Sequence, residues 1–150
     1  MKVGEICNRD VVVALKTEMV VDLARRMRTS HVGAVIVVEN HLGHHRPIGI
    51  VTDRDIVVSA VAGDPVHLNY LFADDMMTTD LVTAPSDESL EQALQKMQRS
   101  GVRRLPVVDG EGDLVGILTL DDLLKHLIDQ QSQLVGIIAR EQRQERQHRL

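Results

Sequence analysis

The sequence predicts a mixed α/β (α+β) fold made of two β-α-β-β-α repeats. The first observation is a stretch used twice: G-I-V-T-D-R-D at Gly49–Asp55 returns as G-I-L-T-L-D-D at Gly116–Asp122. The second is a longer self-similarity, because Asp10–Glu39 aligns with Asp80–Asp109 without a gap and with nine identical positions. An internal repeat of this length indicates one structural unit made twice.

Apolar runs predict the strands of each copy. V-V-V-A (Val11–Ala14) and L-V-T-A (Leu81–Ala84) are typical of short strands. A-V-I-V-V and L-P-V-V predict buried strands, and P-I-G-I-V and L-V-G-I-L predict the strands that follow them. Loops rich in turn residues, such as N-H-L-G-H-H-R-P and D-G-E-G-D, separate these last two strands in each copy.

A helix is predicted after the first strand of each copy. Its apolar positions follow the i, i+3, i+4, i+7 spacing of one helix face: Val20, Leu23, Ala24 and Met27, then Leu90, Ala93, Leu94 and Met97. Ser89 and Gln92 form a capping box in the second copy, whereas the first copy has Met19 and no such cap. His31 replaces Gly101 of the other copy, and we expect it to pack at a strand entrance.

The copies define the expected domain organisation. The first repeat covers 1–62, a linker covers 63–72, the second repeat covers 73–128, and a C-terminal helical extension covers 129–150. A repeat of about 60 residues buries little surface alone. We therefore expect the two repeats to pack face to face around a pseudo-twofold axis.

Composition excludes several classes of function. With a net charge of −5, one Phe, one Tyr and no Trp, the chain lacks the basic excess and aromatic platforms of nucleic-acid binders. Apolar runs are too short to cross a membrane. Cys7 is the only cysteine and the first residues lack a signal-peptide core, so we expect a cytoplasmic protein.

The Thr-x-x-Asp sequence at the end of each copy has two interpretations. Thr52 with Asp55, and Thr119 with Asp122, form capping boxes that satisfy the free amides of a helix start and predict no ligand. The same helix start also suits a phosphate, while the carboxylate suits the hydroxyls of a ribose. Valine and isoleucine strands beside it would provide an apolar slot for a base.

Family resemblance favours the second interpretation. The two-copy layout, the two G-h-x-T-x-x-D ends (h is apolar), S-H-V-G-A-V-I-V-V, A-D-D-M-M-T and S-G-V-R-R-L-P-V-V-D occur in order and at matching spacing. Together they resemble a tandem pair of cystathionine-beta-synthase (CBS) domains, a Bateman module, over roughly Val3 to Leu127.

This resemblance implies a regulatory, non-catalytic module that binds AMP, ADP, ATP or S-adenosylmethionine in clefts between the repeats. Asp55 and Asp122 match the ribose-binding acids, and Thr52 and Thr119 match their hydroxyl partners. By the same resemblance Val12–Val13 and Val82–Thr83 line the base pocket, and Val35–Val37 and Leu105–Val107 form its second wall. Guanidinium groups pair well with phosphate, so we expect phosphate contacts from Arg54, Arg103 and Arg104.

The two copies differ in charge near these positions. Leu120 and Asp121 stand where the first copy has Asp53 and Arg54, whereas Gly33 and Ala34 stand where the second copy has Arg103 and Arg104. We therefore expect the two clefts to differ in phosphate affinity.

Other features leave alternatives open. H-x-x-H-H (His41, His44 and His45) could sense a transition metal, although we expect a solvated loop without a preformed metal site. The sequence contains neither a convincing pair of catalytic carboxylates nor a G-x-x-x-x-G-K-[ST] phosphate loop, so we do not expect an enzyme. The segment after position 128 has the pattern of an amphipathic helix that either closes the module and frays at its end, or packs on the second subunit of a homodimer or on a client protein. We expect the intermolecular role, because the apolar stripe continues beyond the repeat core. A purely structural scaffold with empty clefts remains the alternative function.

Overall fold

The computed structural model describes residues 1–149 and divides the chain into two compact units, Met1–Leu118 and Thr119–Leu150. The chain order of the regular elements is α1 (Val3–Ile6), β1 (Val13–Ala14), α2 (Val20–Ser30), β2 (Ala34–His41), β3 (His44–Thr52), α3 (Asp53–Asp55), a π-helical segment (Ile56–Val61), a 3₁₀ helix (Pro65–Tyr70), α4 (Ala73–Met76), β4 (Ala84–Pro85), α5 (Leu90–Ser100), β5 (Arg104–Val108), β6 (Leu114–Thr119) and α6 (Leu120–His148).

Two three-stranded sheets confirm the predicted α/β fold of two repeats. In the first sheet the order is β1-β2-β3, with β1 parallel to β2 and β2 antiparallel to β3. The second sheet has the order β4-β5-β6, with β4 parallel to β5. The first strand of each repeat is shorter than expected, because the parallel ladder contains only two residue pairs in each sheet. In the second repeat it also lies later in the chain, since β4 shares only Ala84 with the predicted strand Leu81–Ala84.

The predicted apolar helix faces of α2 and α5 are the faces that pack inward, except that Leu94 of α5 is 39% exposed. Leu23 and Ala93 are fully buried, and Met27 and Met97 are nearly so. The capping difference is also confirmed: Gln92 N donates to Ser89 Oγ at 3.2 Å, whereas Met19 provides no side-chain cap to α2.

The predicted loop N-H-L-G-H-H-R-P is instead the tip of a β-hairpin. β2 continues to His41 and β3 starts at His44, so Leu42 and Gly43 alone form the turn. Both turn residues have positive φ (50° and 83°), as the tight hairpin turns that match strand twist require. The first copy is three residues longer than the second between Glu39 and Gly49, and these extra residues make its hairpin longer.

The end of α2 corrects the expectation for His31. His31 is exposed and has φ 54° and ψ 44°, the left-handed conformation that Gly101 (φ 64°) adopts at the end of α5. Its backbone N–H donates to Met27 O and closes the helix. His31 is thus a helix cap and does not pack at a strand entrance.

A glycine at this cap should stabilise the protein. We expect His31→Gly to raise the free energy of unfolding by about 1 kcal/mol, because a left-handed conformation strains every residue that has a Cβ. Chemical denaturation measures this, and Gly101→His should show the opposite sign. A loss of stability in His31→Gly would contradict the assignment of strain.

The two repeats exchange their opening segments. The segment 2–8 pairs with the second repeat through the bridges Lys2↔Ser89 and Asn8↔Ile117. The segment 72–78 pairs with the first repeat through Met19↔Phe72 and Ile50↔Thr78. The two sets of bridges join equivalent positions of the two copies, so the exchange is symmetric.

The repeated glycines Gly49 and Gly116 make room for the exchanged segments. A Cβ on Gly49 would lie 2.5 Å from Met77 Sδ, and a Cβ on Gly116 would lie 2.6 Å from Cys7 Sγ. Cys7 and Met77 occupy equivalent places in the two opening segments. The glycine of each G-h-x-T-x-x-D motif therefore has a steric reason that is independent of any ligand.

Adding a methyl group at these glycines should loosen the exchange. We expect Gly49→Ala to lower the free energy of unfolding by about 1–3 kcal/mol, the usual cost of overpacking. Gly110→Ala is the control, because nothing lies within 4 Å of its added Cβ. Adding Met77→Ala should recover part of the loss, so additive effects in the double variant would contradict a direct clash.

The second unit is dominated by one helix. Thr119 caps α6, accepting a hydrogen bond from Asp122 N at 3.1 Å, and the helix continues to His148 without a break near position 128. Its exposed apolar side chains are Leu124, Leu127, Ile128, Leu134, Val135, Ile137 and Ile138. Within residues 1–149, no helix is both long and apolar enough to cross a membrane.

Candidate functional site

A cavity of about 290 Å³ lies in the first unit, beside the end of β3. This volume is at the lower end of the range of roughly 300–1,000 Å³ typical of small-molecule sites. Both repeats contribute to its lining: Ile50, Thr52, Asp53, Arg54 and Asp55 come from the first, and Thr78, Asp80, Leu81, Val82, Val102, Arg103, Arg104 and Pro106 come from the second.

The exchange of opening segments explains how two repeats meet at this cavity. Thr78 N donates to Ile50 O at 2.9 Å, and Ile50 N donates to Thr78 O at 3.1 Å. These bonds hold the segment 78–82 against the end of β3. The cavity wall therefore depends on the same contact that Gly49 permits.

Thr52 and Asp55 form a capping box at the edge of the cavity. Asp55 N donates to Thr52 Oγ1 at 3.1 Å, and Thr52 N donates to Asp55 Oδ2 at 2.9 Å. The capping box that this motif predicts is thus present. A carboxylate has about four acceptor positions on two oxygens, so this bond leaves acceptor capacity for the hydroxyls of a ligand.

Arginines and carboxylates give the cavity a mixed charge. Arg54, Arg103 and Arg104 line it together with Asp53, Asp55 and Asp80. A guanidinium at this position can pair with an anionic group, and a carboxylate can accept from hydroxyls. The cavity therefore suits a ligand that carries both an anionic group and hydroxyl donors.

Gly33 leaves space for one of these arginines. A Cβ at Gly33 would lie 2.9 Å from Arg104 Nη2 and 3.2 Å from Asp53 Oδ2. Asp53 N also donates to Gly33 O at 3.0 Å. The difference between the copies at this position is therefore steric as well as electrostatic.

The remaining walls are aliphatic. Ile50, Leu81, Val82, Val102 and Pro106 line the cavity, and no aromatic residue of the described chain contributes to its lining. A flat apolar group would be held between aliphatic side chains by dispersion and desolvation.

Several residues expected at the site lie elsewhere. The side chains of Val35, Val37, Leu105 and Val107 are fully buried in the core, so a ligand cannot reach them without a change of structure. Val12 packs against the core of the first repeat.

The first strands also differ from the expectation. Val13 lines a separate cavity with Arg9, Val11 and Val38 among others. Thr83 does not line the cavity beside β3, and its carbonyl accepts a hydrogen bond from Lys96 Nζ at 3.1 Å.

Thr119 and Asp122 belong to the second unit and repeat the capping box. Thr119 N donates to Asp122 Oδ2 at 3.0 Å, and Thr119 Oγ1 lies 2.7 Å from the same oxygen. Their local geometry matches that of Thr52 and Asp55. The sequence thus predicted two equivalent capping motifs correctly.

Pro106, within the expected wall Leu105–Val107, does line the cavity, whereas the contribution of Thr78, Asp80 and Leu81 was not predicted from the sequence. A signal was available, since Thr78 and Asp80 lie at or just after the end of the A-D-D-M-M-T segment that opens the second repeat. Their position at the end of β3 depends on the exchange of segments, which a linear pattern does not reveal.

The fold and the repeated motifs define a class of paired, two-repeat modules. A family model for the CBS domain matches residues 3–61 and 73–129, so this chain belongs to the CBS-domain family, and it carries two copies of the domain.

Known proteins resemble this chain in sequence and in fold. Uncharacterized protein MK0525 of Methanopyrus kandleri is 36% identical over 125 residues, which are 83% of this chain and 62% of that protein. The CBS domain pair of protein MJ0100, in complex with 5′-methylthioadenosine and S-adenosyl-L-methionine, has a TM-score of 0.75 at 23% identity, covering 87% of this chain and 98% of that one.

A second solved structure extends the comparison. The cytosolic domain of the Mg²⁺ channel MgtE, in complex with ATP, has a TM-score of 0.69 at 25% identity, covering 83% of this chain and 48% of that chain. CBS domain pairs of this kind are regulatory modules.

Proposed function

We propose that this protein is a non-catalytic regulatory module that binds an adenosine nucleotide in the cavity beside β3. The observation that carries the proposal is the convergence of the Thr52–Asp55 capping box, three arginines and an aliphatic wall on one cavity. AMP, ADP, ATP and S-adenosylmethionine are the ligands to test.

Each part of the nucleotide has a chemically suitable partner. Asp55 and Thr52 would bind the ribose hydroxyls, because the cap uses only part of their acceptor capacity. Arg54, Arg103 and Arg104 would bind phosphate oxygens through charge-assisted hydrogen bonds. The base would lie between aliphatic side chains of the cavity wall.

The solved relatives support the choice of ligand class. MgtE was solved with ATP, and the MJ0100 domain pair with two adenosine compounds. The three arginines of this cavity favour a phosphorylated ligand over S-adenosylmethionine, whose sulfonium centre is positive. A cytoplasmic location would give the protein access to these nucleotides.

Nucleotide binding could change the arrangement of the two repeats, because both of them line the cavity. A nucleotide that contacts Asp55 and Arg104 together would favour the arrangement of repeats that fits it best. A ligand shifts a conformational equilibrium only by its difference in affinity for the two states. The difference in nucleotide affinity between two arrangements of the repeats therefore sets how far the equilibrium shifts. A client protein would detect the arrangement that the nucleotide favours.

Two variants that each remove a helix-capping carboxylate should distinguish a role in ligand binding from a role in capping alone. We expect Asp55→Ala to weaken nucleotide binding about 10–100-fold, because hydrogen bonds to a charged group contribute about 1.5–3 kcal/mol. Asp75→Ala is the matched control, since Asp75 Oδ2 caps α4 through Phe72 N at 2.8 Å but does not line the cavity.

Calorimetric titration measures the nucleotide affinity of Asp55→Ala and of its control Asp75→Ala. Asp122→Ala in the same series reports whether the second motif also binds, and we expect it to weaken a second binding event if one is present. Equal nucleotide affinity in Asp55→Ala and the wild-type protein, with both folded, would leave the motif a cap only.

The arginines should distinguish phosphate from nucleoside. We expect Arg104→Gln to lower ATP affinity about tenfold, in line with roughly 1.5 kcal/mol for a charge-assisted hydrogen bond, and to leave adenosine affinity unchanged. Arg99→Gln is the control, because Arg99 is exposed at the end of α5 and does not line the cavity. A similar loss for ATP and adenosine would place Arg104 in a structural role.

The exposed face of α6 supports a second function, self-association as a homodimer. Every fourth and then every third residue along this helix is apolar, as in a short coiled-coil seam, except that Gln131 occupies one of these positions. The apolar residues are Leu120, Leu124, Leu127, Leu134 and Ile138. The side chains of Leu134 and Ile138 are 62% and 55% exposed, which is unusual for a contiguous apolar stripe.

Sedimentation equilibrium tests this association. Leu134→Glu with Ile138→Glu should convert a dimer to a monomer, whereas Val66→Glu, at a 75% exposed site in the 3₁₀ helix, should not. A monomeric wild-type protein at micromolar concentration would exclude dimerisation through α6. A client protein would then be the expected partner of its apolar face.

A further inference from the structure

Three potential metal ligands meet at the tip of the β2–β3 hairpin. His44 belongs to the first repeat, and Glu111 and Asp113 belong to the turn between β5 and β6 of the second repeat. One ligand atom from each of the three side chains lies within 4.8 Å of the other two. All three residues are in the unit Met1–Leu118, so the cluster is internal to one compact body.

The cluster is not the histidine motif that the sequence suggested. His44 and His45 are consecutive on β3, so their side chains point to opposite faces of the strand. His45 Nδ1 instead contacts Asn40 Oδ1. No carboxylate was expected near these histidines from the sequence, but the fold brings two of them from the other repeat.

The hairpin holds the Asp113 carboxylate in place with two hydrogen bonds. His44 Nδ1 lies 2.8 Å from Asp113 Oδ2, and His45 N donates to Asp113 Oδ1 at 2.9 Å. These two hydrogen bonds fix the direction in which the carboxylate of Asp113 faces His44.

The turn of the second repeat presents both acids from one preformed conformation. Asp109 Oδ1 accepts hydrogen bonds from Glu111 N at 2.9 Å and from Asp113 N at 3.0 Å. Gly112 has φ 89°, a conformation that favours glycine, and so lets the chain turn between the two acids. The ligand-bearing turn is thus organised by its own hydrogen bonds.

The geometry points to a binding site for one divalent transition-metal ion of the Zn²⁺ type, held by His44, Glu111 and Asp113. Ligand bonds of about 2.0–2.2 Å in a tetrahedral site separate neighbouring ligand atoms by roughly 3.3–3.6 Å. The distance of 2.8 Å from His44 Nδ1 to Asp113 Oδ2 is only slightly shorter, so a small movement admits an ion between the two atoms.

The chemistry of the ligands selects the class of ion. Imidazole suits Zn²⁺, Ni²⁺ and Co²⁺, whereas Mg²⁺ and Ca²⁺ prefer oxygen ligands alone. The ion would replace the Nδ1 hydrogen that joins His44 to Asp113, so that Nδ1 binds the metal and the ring hydrogen is carried on Nε2. Three protein ligands leave at least one position for water, and the ion would join the two repeats away from the cavity beside β3.

Zinc titration of tag-free, metal-depleted protein tests this site. We expect one Zn²⁺ per chain, measured by calorimetry, and a melting temperature that rises with zinc concentration because only the folded state holds the three ligands together. Mg²⁺ at the same concentration should not change the melting temperature.

Variants assign the ligands. Glu111→Gln should lower zinc affinity about tenfold or more, and because Glu111 is exposed its variant should fold normally. His44→Ala should lower zinc affinity at least as much. His41→Ala and His45→Ala are the matched controls on the same hairpin and should bind zinc as the wild-type protein does.

Two results would overturn the assignment. The first is absence of stoichiometric zinc binding by the wild-type protein, which would leave His44 and Asp113 as an ion pair between the repeats. The second is zinc binding that survives Glu111→Gln and His44→Ala but is lost in His41→Ala or His45→Ala, which would move the site to the hairpin histidines.

Discussion

The close approach of an exchanged backbone segment to Gly49 and Gly116 is the contact on which the rest of the structure depends. At each glycine the missing Cβ admits a side chain from the other repeat's opening segment, Met77 in one case and Cys7 in the other. Each repeat is too small to bury a sufficient core by itself. The exchange joins the first repeat to the part of the second repeat that lies in the unit Met1–Leu118, and it also carries the segment 78–82 to the cavity beside β3.

The G-h-x-T-x-x-D motif therefore contributes both to packing between the repeats and to the cavity. Its glycine supports packing between repeats, and in the first copy its threonine and aspartate cap a helix while they face a cavity. This explains why the capping and ligand interpretations of Thr52 and Asp55 are compatible. A helix start that is capped by its own side chains is rigid, and a rigid carboxylate binds a hydroxyl with less loss of entropy than a mobile one does.

Much of the fold could be predicted from the sequence, because strands, helices and caps depend on neighbours in the chain. The period of the apolar residues identified α2 and α5, and Ser89 with Gln92 identified a cap. The assignment of Val35 and Val107 to a binding wall placed fully buried side chains at a ligand site. An apolar strand residue has the same pattern whether it faces a core or a pocket, so only the packed structure separates these possibilities.

Features that depend on distant segments were the ones that sequence reasoning missed. The position of Thr78 and Asp80 at the cavity, and of Glu111 and Asp113 beside His44, results from pairing between repeats. The left-handed cap at His31 was missed for a different reason: a histidine in the place of Gly101 carries no obvious signal of backbone conformation.

Amide hydrogen exchange with and without ATP would show whether a nucleotide binds in the cavity that both repeats line. We expect slower exchange on ATP addition in the segments 50–55, 78–82 and 102–106 together, since all three line one cavity. Unchanged exchange in all three segments at saturating ATP, or slowing confined to another part of the chain, would contradict nucleotide binding at this place.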